Sequence, residues 1–157
     1  MFFSKSRLLR LVDAERVRSA IEAAERRTSG EIRVSVSRYF WGNPRAAAEM
    51  AFERLRMHET RERNGVLLFV IPSRKRFVVL GDEGIHARVA ADFWEKVAAA
   101  MAESFGKGDF TEGLEKGIAT IGEELARFFP FDPSSDRNEL PDDIDLGAGR
   151  AAKREVK

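Results

Sequence analysis

The apolar positions follow two periodicities, and their order along the chain predicts the fold. Asp13 is a good helix N-cap, and Val17, Ala20, Ile21 and Ala24 follow at helical spacing. That helix stops at Thr28-Ser29-Gly30. Glu31 to Ser37 then alternates Ile32, Val34 and Val36 against Arg33, Ser35 and Ser37, the pattern of a strand with one buried face. Tyr39-Phe40-Trp41-Gly42-Asn43-Pro44 reads as an aromatic loop, either an exposed binding surface or packing beneath a loop. Ala48, Ala51, Phe52 and Leu55 give a second helical stripe. Asn64-Gly65 leads into Val66-Leu67-Leu68-Phe69-Val70-Ile71, an unbroken apolar run that suits a central strand buried on both faces. Pro72-Ser73-Arg74-Lys75 reads as a hairpin connection into a third strand, Arg76-Phe77-Val78-Val79-Leu80.

The second half reads as helical. Ile85, Val89, Phe93, Val97 and Met101 fall on one stripe, with Trp94 beside it, so a single helix is expected from Ile85 to Gly106. Asp109 and Glu112 form a capping-box-like pair for the next helix, whose stripe is Phe110, Leu114, Ile118, Ile121, Leu125 and Phe128. Gly113 and Gly117 lie one turn apart, which suggests close backbone approach to a neighbouring element. Four helices and three strands predict an α/β fold: a three-layer α/β/α sandwich around a small mixed β-sheet. A helix joins the first two strands, so they are expected to be parallel, with a right-handed crossover. The third strand is expected to return antiparallel.

This topology places one polar corner. Gly81-Asp82-Glu83-Gly84-Ile85-His86 follows the third strand and opens a helix. Glycines free the backbone there, and two carboxylates on such a turn can hold a hard cation through oxygen ligands. The same residues can equally be a helix cap, with Asp82 capping and Glu83 favouring the positive end. The corner should lie beside Ser29-Gly30-Glu31 and Asn64-Gly65. Glu31, Asp82 and Glu83 are therefore the candidate metal ligands, for calcium or another divalent cation. Asp136 and Asn138, in the segment after Pro130, are secondary candidates. His86 is either a proton shuttle or an exposed first-turn residue. No Gly-x-Ser-x-Gly elbow, P-loop or Gly-x-Gly-x-x-Gly occurs, so no catalytic residue is assigned. The basic Arg74-Lys75-Arg76 turn is expected on the opposite edge from the acids.

Composition narrows the classes. The 157 residues carry 27 basic and 26 acidic side chains, a net charge of +1, so no global field favours nucleic acid or an anionic membrane. Cysteine is absent, which excludes disulfides, zinc–cysteine sites and thiol catalysis. No apolar run is long enough for a signal peptide or a membrane span, so a cytoplasmic location is expected. Residues 132–145 hold six acids and one base, and the last eight residues four bases and one acid. One domain is expected over residues 1–145, with residues 146–157 a disordered basic tail.

Several motifs in order carry a resemblance. Thr28-Ser29-Gly30-Glu31-Ile32-Arg33-Val34, Asn64-Gly65-Val66-Leu67-Leu68 and Gly81-Asp82-Glu83-Gly84-Ile85 resemble the TPM domain family. Phe93-Trp94, Gly108-Asp109-Phe110 and Gly113-Leu114 continue the match. Phe129-Pro130 and Asn138-Glu139-Leu140-Pro141 resemble its short, stand-alone bacterial branch, related to the thylakoid lumen acid-phosphatase-like members. The resemblance implies an α/β/α sandwich and divalent-metal binding, calcium in particular. Many members are membrane-anchored, a pattern from which this chain departs. The role implied is a calcium-binding or protein-interaction module with an unknown protein partner. The alternative is a metal-dependent, acid-phosphatase-like hydrolase acting at the acidic corner. Only Glu31, Asp82 and Glu83 carry over as site residues.

Overall fold

The computed structural model describes residues 3–38, 42–133 and 140–147. In chain order its elements are α1 (Lys5–Leu11), α2 (Ala14–Glu25), β1 (Glu31–Val36), α3 (Pro44–Arg54), β2 (Gly65–Ile71) and β3 (Arg76–Gly81). After β3 come α4 (Glu83–Arg88), α5 (Phe93–Gly106) and α6 (Phe110–Phe128). A 3-10 turn at Pro72–Arg74 joins β2 to β3, closed by Lys75 in the left-handed region at φ 50°.

The strand order is β1-β2-β3, with β1 parallel and β3 antiparallel to the central β2, as connectivity predicts. β2 is buried along its whole length because its side chains alternate between two cores. Val66, Leu68 and Val70 face the core formed with α2, α5 and α6, where Ile21, Val97, Met101, Leu114 and Ile118 are fully buried. Leu67, Phe69 and Ile71 face the opposite core, with Ala48 and Ala51 of α3 and with Met57 and Leu140. This is the expected α/β/α sandwich. Each fully buried Leu or Ile contributes about 1.5–3 kcal/mol relative to exposure.

Two helices differ from the periodic reading. α1 carries no long stripe; Ser4 caps it by accepting from the Arg7 N–H, and Leu8 anchors it in the core. The single helix expected from Ile85 to Gly106 is two. The chain becomes extended at Val89 (ψ 157°), then restarts at Phe93. The break keeps Ile85 and Phe93 both fully buried while turning Trp94 onto the end of β3. A Cβ at Gly81 would collide with the Trp94 ring, so only glycine fits there.

The glycines of α6 do allow close approach. A side chain at Gly113 would enter the Phe105 ring, and a Cβ at Gly117 would lie 2.6 Å from Met101 Sδ. Asp109 caps α6 by accepting from the Glu112 N–H, but the Glu112 carboxylate accepts from Ser104 Oγ instead of closing a capping box.

The two edges of the sheet are finished differently. Along β1, Ile32 donates its outward N–H to Glu25 Oε2. Asp145 then pairs alongside, its N–H to Val34 O and its carbonyl accepting from Val36 N. Residues 140–147 thus strap the β1 edge. Along β3, among the described residues, no element pairs with the outer edge.

Candidate functional site

At the corner, Asp82 is the N-cap of α4, its carboxylate accepting from the Glu83 N–H at 2.9 Å. Arg63, held at φ 52°, reaches the same carboxylate from Nε at 2.6 Å and Nη2 at 2.8 Å. Its Nη1 bonds Glu83 Oε1 at 3.1 Å. Gly84 packs directly on the backbone carbonyls of Glu62 and Arg63, and its N–H donates to Arg63 O. One arginine therefore sits between the two corner carboxylates. The hydrogen bond to Asp82, with the charges of Asp82 and Glu83, raises the Arg63 pKa against the cost of burial.

Glu31 lies elsewhere. It pairs with Gly65 on one side of β2, whereas Gly81 pairs with Val66 on the other, so the central strand separates Glu31 from Asp82. Glu31 is buried, and its Oε1 accepts from the Leu140 N–H at 2.9 Å. Asp136 and Asn138 lie outside the described residues, as do Tyr39, Phe40, Trp41 and the tail from residue 148. Near the corner, Asn64 Oδ1 is buried without a hydrogen-bond partner, while its Nδ2 reaches Ser29 Oγ at 3.4 Å. Among the described residues, no three His, Asp or Glu side chains group as a metal ion requires. Arranged this way, with a guanidinium between Asp82 and Glu83, the corner does not fit a resident divalent cation.

A second acidic group binds the strap. Burial, then a hydrogen bond with Asp142, push the Glu25 carboxyl up to about 9, so it is protonated at neutral pH. Burial also works against the charge of Asp145, but Arg54, Ser35 and the Gly147 N–H outweigh it and hold that carboxyl below its usual value. Arg54 binds Asp145 with both terminal nitrogens, at 3.1 and 2.7 Å, and Ser35 Oγ adds a bond at 2.8 Å.

The open feature is a groove along β3. A cavity of about 510 Å³ lies between α3 and the α4–α5 turn, with Val79, Leu80 and Gly81 at its floor. Phe52, Glu49 and Glu53 form one wall, and Trp94 and His86 the other. A second cavity of about 460 Å³ continues it toward Arg76 and Asn43, sharing Arg45, Val79 and Trp94. Trp94 is fixed by an edge contact with Phe93 at 4.7 Å between centroids and by His86 at 5.0 Å. His86 itself is exposed and lies tilted against that ring, at 39° between the planes. Periodicity did not reveal this groove, because it depends on the break between α4 and α5. The Asp92-Phe93-Trp94-Glu95 spacing, a helix-start pattern, is the signal that marks the break.

Register fixes which backbone groups line the floor. Asp82 N–H donates to Gly65 O, so residues 76, 78, 80 and 82 face β2. Phe77, Val79 and Gly81 therefore direct N–H and C=O outward, into the groove.

Comparison with known proteins agrees with this architecture. The NMR structure of BA42 protein from the psychrophilic bacterium Bizionia argentinensis is similar at 35% identity and a TM-score of 0.81, over 94% of this chain and 97% of that one. The N-terminal domain of cg2496 protein from Corynebacterium glutamicum shares the fold at 13% identity and a TM-score of 0.53, over 85% of this chain and 77% of that one. The N-terminal domain of a protein from P. gingivalis does so at 16% identity and a TM-score of 0.55, over 77% and 88%. No curated protein matches. Among the described residues, no helix is long and apolar enough to cross a membrane. The TPM domain model matches residues 3–124, which span all three strands and most of α6, and with the likeness to BA42 this establishes that the chain belongs to the TPM domain family.

Proposed function

We propose that this TPM domain is a non-catalytic protein-interaction module whose binding site is the groove along the free edge of β3. The observation that carries this reading is the contrast between the two sheet edges among the described residues: β1 is strapped by residues 140–147, while β3 lies unpaired at the floor of a walled groove. Unpaired strand edges are the part of a sheet that other chains recognise. Among the described residues, the groove's polar side chains are Arg, Glu, His and Asn, and none of them carries a hydroxyl or an amine. At the corner, Asp82 and Glu83 are already bonded to Arg63, which leaves the acid-phosphatase-like alternative without an open metal position.

The test has two arms. A photocrosslinking residue at Glu49, in the groove wall, is expected to give a discrete protein adduct in the cells that make this protein. The same residue at Glu123, on the exposed side of α6, is expected to give none. Purified protein with calcium and p-nitrophenyl phosphate is expected to show no turnover above background. Turnover that Asp82→Asn abolishes would replace this reading with the hydrolase.

A further inference from the structure

We infer that the groove takes an extended peptide segment that adds to β3 as a fourth strand, antiparallel to it, basic at its amino-terminal end and acidic at its carboxyl-terminal end. This inference rests on the reading of the groove as a protein-binding site and names what that site recognises.

Backbone pairing supplies the first argument. Phe77, Val79 and Gly81 present N–H and C=O groups along one line, spanning about 13 Å at roughly 3.3 Å per residue. Only another strand satisfies such a row with regular geometry. The second argument is the walls. α3 on one face and α5 on the other flank the edge, so the two cavities form a slot along the strand. A single extended chain fits between such walls. The edge of a second sheet carries its own covering helices, which would meet α3 and α5 before the backbones could pair.

Side-chain recognition follows from the pleat. Successive residues of the added strand point alternately to the two faces. One set meets Phe52 on α3, and the other meets Trp94 on α5, so alternate apolar positions are favoured. Charge sets the direction. Arg76 stands where β3 begins and Glu49 and Glu53 where it ends, with Arg45 between them and lining both cavities. Arg45 and Glu49 also contact each other at 3.5 Å, but both remain largely exposed to a ligand. A strand with basic residues near Glu49 and Glu53 and acidic residues near Arg45 and Arg76 runs antiparallel to β3.

The experiment uses the full chain, isotope-labelled, with two pools of synthetic peptides of about nine residues, long enough to span the slot. One pool has two lysines at the amino end, two glutamates at the carboxyl end, and Val, Ile, Thr and Phe randomised between them. The other has the charged ends exchanged. The first pool is expected to slow hydrogen exchange at the Phe77, Val79 and Gly81 amides. The exchanged pool is expected to bind about tenfold more weakly, the scale of a few rim charge pairs. Glu49→Arg together with Glu53→Arg should erase that difference. Val79→Pro removes one outward N–H while leaving the ladder to β2 intact, and should weaken both pools.

Shifts at Trp94 and Phe52 without slowed exchange at Val79 would overturn strand addition while leaving the groove reading standing. Slowing of the same amides with rising protein concentration and no peptide would make the occupant a second copy and overturn the peptide. Absence of any shift with either pool at about millimolar concentration would also overturn it, since such a slot should reach that affinity. The groove reading would then stand or fall separately on the crosslink at Glu49.

Discussion

Arg63 grips Asp82 with two hydrogen bonds, from Nε at 2.6 Å and Nη2 at 2.8 Å, and gives its remaining terminal nitrogen to Glu83. That relationship sets one guanidinium against two carboxylates, so the acidic turn at the helix start is partly neutralised. Arg63 makes these bonds from a backbone in the left-handed region, at φ 52°.

Removing Arg63 should therefore expose the corner. Arg63→Met is expected to lower the melting temperature, because Asp82 and Glu83 then repel each other without a cation between them. Millimolar calcium should leave the wild-type melt unmoved and partly restore that of the variant. A calcium-induced rise in the wild type of the same size would mean that the ion displaces Arg63.

The sheet was legible in the sequence for a specific reason. Ile32, Val34 and Val36 alternate, Val66 to Ile71 run unbroken, and a helix separates them, which forces the parallel pair. The corner was legible as a place but not as an arrangement. Its acids are visible in Gly81-Asp82-Glu83-Gly84, but the cation that meets them comes from Arg63, whose reach depends on a backbone angle that no periodicity encodes. Glu31 was expected beside Asp82 because both fall at the same end of the sheet. The order β1-β2-β3 puts one strand between them. Asp145 was visible only as one acid among six in residues 132–145, and its bond to Arg54 is a contact across 91 positions.

Stability should fall with rising pH through Glu25. Its folded pKa of about 9 lies above the ordinary 4.5, so the folded state keeps a proton that the unfolded chain releases. The contribution is fully present below about 4.5 and is lost progressively as pH climbs toward about 9. Glu25→Gln still accepts from Ile32 N–H and can donate to Asp142, so its stability should be flatter across this range. Urea midpoints measured at intervals across it decide the matter; parallel curves for the two proteins would show that Glu25 is ionised in the fold.

Asp145 behaves in the opposite sense. Its carboxyl is depressed on balance, so its contribution is present above the unfolded value of 3.8 and disappears as pH falls through the folded one. Asp145→Ala should release the strap and speed hydrogen exchange at Val36, whose N–H donates to the Asp145 carbonyl. Unchanged exchange at Val36 would mean that the strap is held without the Arg54 pair.

Gly113→Leu should destabilise the fold by about 1–3 kcal/mol, the range for overpacking a tight interface, because any side chain there enters the Phe105 ring. Thermal or urea unfolding measures it. A variant as stable as the wild type would show that α5 can slide on α6 at little cost.

The most direct test of the account is residue-by-residue amide hydrogen exchange along β3 in the free protein. Among the described residues this edge is open, with Val78, Leu80 and Asp82 bonded to β2 and Phe77, Val79 and Gly81 facing the groove. An alternating profile is therefore expected: slow exchange at Val78, Leu80 and Asp82, and fast exchange at Phe77, Val79 and Gly81. Uniformly slow exchange through residues 77–82 would show the edge already covered and contradict the groove as a binding site.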